Sequence, residues 1–132
     1  MSQENVDVVK RIYEELNAHQ AFPPELFAPD CVTDLTQVSL EDVGVLHGVH
    51  ASQMALSPYF GTFDDFHVAA EVLHSDENRV VTAIRDGGRI KGSSSEIWSH
   101  YFHAWTLRDG MVVRLSSHRD REEAFKAVGL AE

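Results

Sequence analysis

The apolar period changes once along this chain, and that change limits the folds open to it. In residues 3–19, Val6, Val9, Tyr13 and Leu16 recur at spacings of three and four, the stripe of an amphipathic helix. From Phe66 onward apolar residues alternate with others, at Phe66, Val68, Ala70 and Val72, the period of a strand with one buried face. Helices gathered ahead of a run of strands place the chain in the α+β class.

The elements follow from local chemistry. Ser2 is placed to cap the first helix, and Glu4 meets the positive end of its dipole. Residues 23–28 read as a short second helix, opened by proline and stopped before Pro29. Residues 31–35 read as a short strand and 36–48 as mostly loop. A third helix spans 49–60, its last turn disturbed by Pro58. After the Phe66 strand, 75–78 supply a turn and 80–84 begin a second strand. Gly87-Gly88 and residues 92–95 mark a bend and a loop, and 97–107 form a long strand rich in aromatics. Asp109-Gly110 is a two-residue hairpin signal leading into a return strand over 112–119. Asp120 caps, and Gly129 stops, a terminal helix over 120–128. The four late strands predict a curved antiparallel sheet, since strands of about ten residues bend. Helices on the concave side of such a sheet can enclose a pocket.

A length of 132 residues fits one domain, residues 1–132, with a single core. Cys31 is the only cysteine, so no intramolecular disulfide forms, which suits a reducing compartment. The first ten residues lack the basic and apolar regions of a signal peptide, and no apolar run approaches the ~18 residues of a membrane span. The expectation is a cytoplasmic protein without a membrane partner. The net charge of −10 comes from the first 77 residues, which hold 14 acidic and 2 basic side chains. Such a surface repels phosphate backbones, and nucleic acid is not an expected partner.

Several segments carry a family likeness. These are the opening Met1-Ser2-Gln3-Glu4-Asn5-Val6 with Tyr13, then Asp30-Cys31-Val32, then His47-Gly48. The strongest is His103-Ala104-Trp105-Thr106-Leu107-Arg108-Asp109-Gly110-Met111-Val112-Val113-Arg114, followed by Arg119-Asp120. Together they resemble the SnoaL-like branch of the NTF2-like superfamily, over nearly the whole chain. The resemblance implies a cone-shaped α+β barrel around a deep, mostly apolar pocket for a small hydrophobic molecule, and commonly a homodimer. Relatives of that kind include polyketide cyclases, ketosteroid isomerases, dehydratases, epoxide hydrolases and proteins without catalysis, so chemistry has to come from side chains.

On the long strand, Tyr101, His103, Trp105 and Leu107 share one face, which the resemblance turns toward the pocket. The matching set on the return strand is Val113, Leu115, Ser117 and Arg119. The resemblance gives Tyr13 the place of an oxyanion-binding tyrosine, although the apolar stripe of its helix accounts for it equally. It gives His103 the place of an acid, base or donor; a hydrogen-bonded core histidine is the simpler account. Asp34 is the carboxylate nearest the isomerase base, which an ungapped reading puts at Leu35, and one residue reverses a strand's face. Tyr101, Trp105, Leu115, Ser117 and Arg119 complete the expected ligand-binding set. Arg119 is placed at the mouth, where it could bind a carboxylate or pair with Asp120. Asp120 is more simply a helix cap than an acid. His47 with His50, and His100 with His103, lack a metal-ligand pattern, and no nucleotide fingerprint occurs, so no metal or cofactor is expected. Ser116-Ser117-His118 is set aside as a nucleophile because adjacent strand residues face apart. Trp98, Phe102 and Ala104 on the other face form an aromatic patch that fits a homodimer through the sheet. Two functions remain: a cofactor-free isomerase, cyclase or dehydratase using acid–base chemistry, or a non-catalytic binding or dimerisation module.

Overall fold

A computed structural model describes residues 2–37 and 44–130, with side chains from Gln3 onward. Helix α1 spans Ser2–His19. Its apolar stripe buries Val6, Val9, Tyr13 and Leu16, and Ile12, at 0% exposure, joins them. Each such side chain contributes roughly 1.5–3 kcal/mol by leaving water. The capping role expected of Ser2 lies outside the described residues.

The expected second helix is a single 3-10 turn, Pro24–Leu26, and strand β1 follows at once over Phe27–Asp34. Pro29 explains the difference, because a residue before proline is driven out of the helical region. Residues 36–48, read as loop, contain a short strand β2, Val45–His47, and 38–43 lie outside the described residues. Helix α2 (Val49–Phe60) keeps Pro58 in its last turn. Strands β3 (His67–Ser75), β4 (Arg79–Arg89), β5 (Glu96–Arg108) and β6 (Met111–His118) follow, then helix α3 (Arg121–Ala127). Asp120 does cap α3, accepting from the Glu123 amide at 2.8 Å.

The described strands form one curved, unclosed sheet in the order β2-β1-β6-β5-β4-β3. It is antiparallel except where β1 runs parallel to β6. The Gly87-Gly88 pair does not end β4, which stays in register with β5 as far as Arg89 opposite Glu96. Both glycines have positive φ, 147° and 148°. A Cβ on Gly87 would stand 1.9 Å from the Ile97 carbonyl oxygen, and one on Gly88 2.4 Å from that of Asp65. Only glycine lets the strand pass between these backbones.

Helix α1 lies across β3 and β4 on the concave side, over a core that includes Phe60, Phe66, Val80, Ile84, Trp105 and Leu115. Two asparagines fasten it. Asn17 accepts from the Val68 amide at 2.7 Å and donates to the Val68 carbonyl at 2.9 Å, taking the place of a further strand beside β3. Asn5 donates to the carbonyls of Asp76 and Glu77 at 3.0 and 2.7 Å. On the convex face α3 covers Val81, Leu73 and Phe102 with Ala124 and Phe125. This corrects the expected aromatic patch: Ala104 is 1% exposed, Phe102 is half-buried under α3, and the Arg85 guanidinium sits 3.8 Å above the Trp98 ring. No helix among the described residues is long and apolar enough to cross a membrane.

Gly87→Ala should lower stability by at least about 2 kcal/mol, since its Cβ meets fixed backbone. Denaturant unfolding beside wild type measures the loss.

Candidate active site

Alternation on β4 and β5 decides what the concave face presents. Val80, Thr82, Ile84 and Asp86 share one side of β4, and their partners across the ladder are Trp105, His103, Tyr101 and Ser99. The stripe of α1 brings Tyr13 down onto this row. Its hydroxyl lies 2.8 Å from Thr82 Oγ1, 2.8 Å from His103 Nδ1 and 3.1 Å from Trp105 Nε1, which donates to it. Tyr13, Thr82, His103 and Trp105 are all buried. Burial is the main reason the Tyr13 hydroxyl is pushed far above its ordinary pKa. Burial, and secondarily repulsion from His118, pushes His103 down to about 3, so its imidazole is neutral near pH 7.

The second group is a carboxylate that the sequence reading did not single out. Asp86 is 2% exposed and accepts from the Tyr59 hydroxyl at 2.7 Å and from the Tyr101 hydroxyl at 2.5 Å. Burial raises its pKa, and the two tyrosine hydrogen bonds offset part of that rise. The Tyr101 ring meets His103 edge-on, centroids 5.1 Å apart, so one tyrosine spans the carboxylate and the imidazole. Tyr59 and Tyr101 are half-buried and Ser99, opposite Asp86, is exposed, which puts Asp86 toward the open end of the cone. Taking residues 80–84 as the start of the strand and Gly87-Gly88 as a bend left Asp86 without an assigned face. The alternation through Val80, Thr82 and Ile84, carried one step further, points to it.

Of the residues expected at the site, Tyr13, Tyr101, His103 and Trp105 come together, with Leu115 and Ser117 beside them across β5. Asp34 does not join them. Thr33 and Leu35 face the core, so Asp34 turns to the convex side, where Arg114 donates to it at 2.9 Å and Thr36 donates to it twice. Burial alone would raise its pKa, but the Thr36 bonds and the Arg114 charge outweigh it and the net shift is downward. Arg119 is exposed, one residue past the end of β6, because the chain there turns to cap α3. A bulge between Thr106 and Leu107 reverses the expected face nearby, so that Val112 is fully buried and Val113 only half so.

Ser116 and His118, two apart, share the convex face and are bonded at 2.8 Å. With Asp34, Arg114, Glu123 and Lys126 they line an open depression of about 270 Å³. His118 Nδ1 is buried there without a partner among the described residues. No group of three or more His, Cys, Asp or Glu side chains among the described residues is arranged to hold a metal ion.

The SnoaL-like domain model matches residues 9–115. The chain belongs to the SnoaL-like domain family. Among solved structures this SnoaL-like chain is similar to AusH from Aspergillus nidulans at 15% identity (TM-score 0.73, covering 91% of this chain and 86% of that one). It is similar to an NTF2-like protein from Anabaena variabilis ATCC 29413 at 14% identity (TM-score 0.72, 91% and 92%). A third is TerC, crystallised with polyporic acid, at 17% identity (TM-score 0.69, 89% and 92%). At these identities the likeness establishes the shared NTF2-like fold. No curated protein matches the sequence.

The depressed pKa of His103 sets a pH dependence. An unfolded histidine titrates near 6.5 and the folded one near 3, so the unfolded state binds more protons between these values. Stability from this site is fully present above pH 6.5 and drains away as the pH falls toward 3. His103→Asn keeps an acceptor for Tyr13 but cannot ionise. Its unfolding midpoint should fall less steeply than that of wild type below pH 6.5.

Proposed function

We propose that this SnoaL-like protein is a cofactor-free enzyme that moves a proton on a small, mainly hydrophobic carbonyl compound, with Asp86 as the base and neutral His103 as the electrophilic partner. The observation that carries this reading is the Asp86 carboxylate itself, 2% exposed and gripped by two tyrosine hydroxyls beside a neutral histidine. Burial raises the basicity of the carboxylate toward the working pH. An uncharged imidazole polarises a carbonyl without repelling the proton being moved. Allylic isomerisation of an enone, aldol-type cyclisation and β-elimination of water from a hydroxyketone each begin with such a transfer next to a carbonyl. The base differs in position from the one the isomerase likeness implied: the carboxylate comes from β4, not from Asp34. TerC, of the same fold, was crystallised with a small organic molecule, polyporic acid, which agrees with a small-molecule site.

The alternative is a binding module without catalysis. It is favoured by the protein partners already held by both Asp86 oxygens, one tyrosine hydroxyl each, and by the three held by the Tyr13 hydroxyl. Assembly through the sheet now has a narrower basis, the exposed Ile97 and half-buried Trp98.

Exchange of the α-protons of β-tetralone in deuterated water separates the two functions. Wild type should accelerate exchange, and Asp86→Asn should lower the rate by at least about 100-fold while leaving the fold intact. Equal rates for wild type and variant would remove Asp86 from the mechanism, and no acceleration by wild type would favour the binding module.

A further inference from the structure

We propose that Tyr13 is a positioning residue that holds His103 in the tautomer with its proton on Nε2, so that the site takes a ligand presenting an acceptor oxygen to that nitrogen. This deepens the reading above and rests on it only in treating the concave face as the ligand site.

The tautomer follows from counting hydrogens at one oxygen. Trp105 Nε1 can only donate, so Tyr13 Oη accepts from it. Tyr13 has one hydrogen to give, and two neighbours stand at the same 2.8 Å, Thr82 Oγ1 and His103 Nδ1. If the hydrogen went to Thr82, the threonine's own hydrogen would have no acceptor among the described residues, at a position of 0% exposure. His103 Nδ1 would then have to carry the proton. If the hydrogen goes to His103 Nδ1, Thr82 donates to Tyr13 Oη, both hydroxyl hydrogens and the indole hydrogen are used, and only the Nε2 hydrogen of His103, at the part of the residue that keeps some accessible surface, is left for a ligand or water. An unmade hydrogen bond at a buried hydroxyl disfavours the first arrangement by roughly tenfold or more.

Two consequences follow. Tyr13 Oη has no hydrogen left for a ligand, so the oxyanion-binding role implied by the family likeness does not fall to it. Nε2 of His103 has no protein partner among the described residues, and the residue keeps 8% of its surface accessible. It presents an N–H to the ligand side. A ketone or other oxygen acceptor matches that N–H, and an ammonium group of the same shape opposes it.

The test is a long-range proton–nitrogen correlation spectrum of the histidine rings in the ¹⁵N-labelled full chain, with His103 assigned by its loss in His103→Asn. Wild type should show Nε2 protonated and Nδ1 as acceptor. Thr82→Val should keep that pattern, because Tyr13 still gives its hydrogen to Nδ1. Tyr13→Phe should lose it and show a mixture of tautomers. A wild-type Nδ1–H, or a Tyr13→Phe spectrum identical to wild type, overturns the assignment. Titration with β-tetralone should shift the Nε2 resonance, and 2-aminotetralin at the same concentration should not; equal shifts overturn the acceptor preference. None of these measurements needs turnover, so they stand apart from the exchange experiment on Asp86.

Discussion

The hydroxyl of Tyr13 is the point at which the helical and sheet halves of this protein are joined chemically. Apolar packing brings α1 onto the sheet, but packing alone tolerates small slips along a helix. A single buried oxygen with three partners on two strands does not. It fixes the rotation of α1 over β4 and β5. It also sets the plane of the His103 ring, which lies within 5° of the Tyr13 ring. The hydroxyls of Tyr13 and Thr82, the indole N–H of Trp105 and Nδ1 of His103, which would otherwise be isolated polar intruders in an apolar core, bond to one another, which is the condition for burying them at all.

Asp86 depends on a different constraint, the passage of β4 between two neighbouring backbones at Gly87-Gly88. Because the strand continues there without side chains, the ladder to β5 holds as far as Arg89, and Asp86 keeps the inward face set by Thr82 and Ile84. Tyr59 from the last turn of α2 and Tyr101 from β5 then reach it from two elements. The carboxylate is therefore held by the cone's rim and the imidazole by its interior, with Tyr101 touching both.

The parts legible in the sequence were those governed by a simple period. The stripe of α1 named Tyr13, and the alternation of β5 placed Tyr101, His103 and Trp105 on one face. The Asp109-Gly110 hairpin and the Asp120 cap were read from local chemistry and are present. What was not legible involved a reversal of parity or a tertiary choice. Glycines that usually end a strand here keep it going, which hid Asp86. The one-residue difference between Asp34 and Leu35 decides which of them faces inward, and it is settled by the pairing of Asp34 with Ser116 on the convex face and the burial of Leu35. The bulge at Thr106 moved Val113 aside, and the early end of β6 carried Arg119 out. Adjacent Ser117 and His118 face apart, but Ser116 and His118, two apart, share a face and meet.

The clasp between Asn17 and Val68 has a bearing on how the chain reaches this structure. Edge strand β3 is nine residues long, and until α1 docks its outer amides are open to any other extended segment. The amide of Asn17 blocks that edge at Val68, near the start of β3, using a helix from the N-terminal part of the sequence. Sheet assembly and helix docking are thereby coupled. A chain whose C-terminal hairpins form first carries an adhesive edge for as long as α1 is away, and during that interval the competing reaction is with other copies of itself.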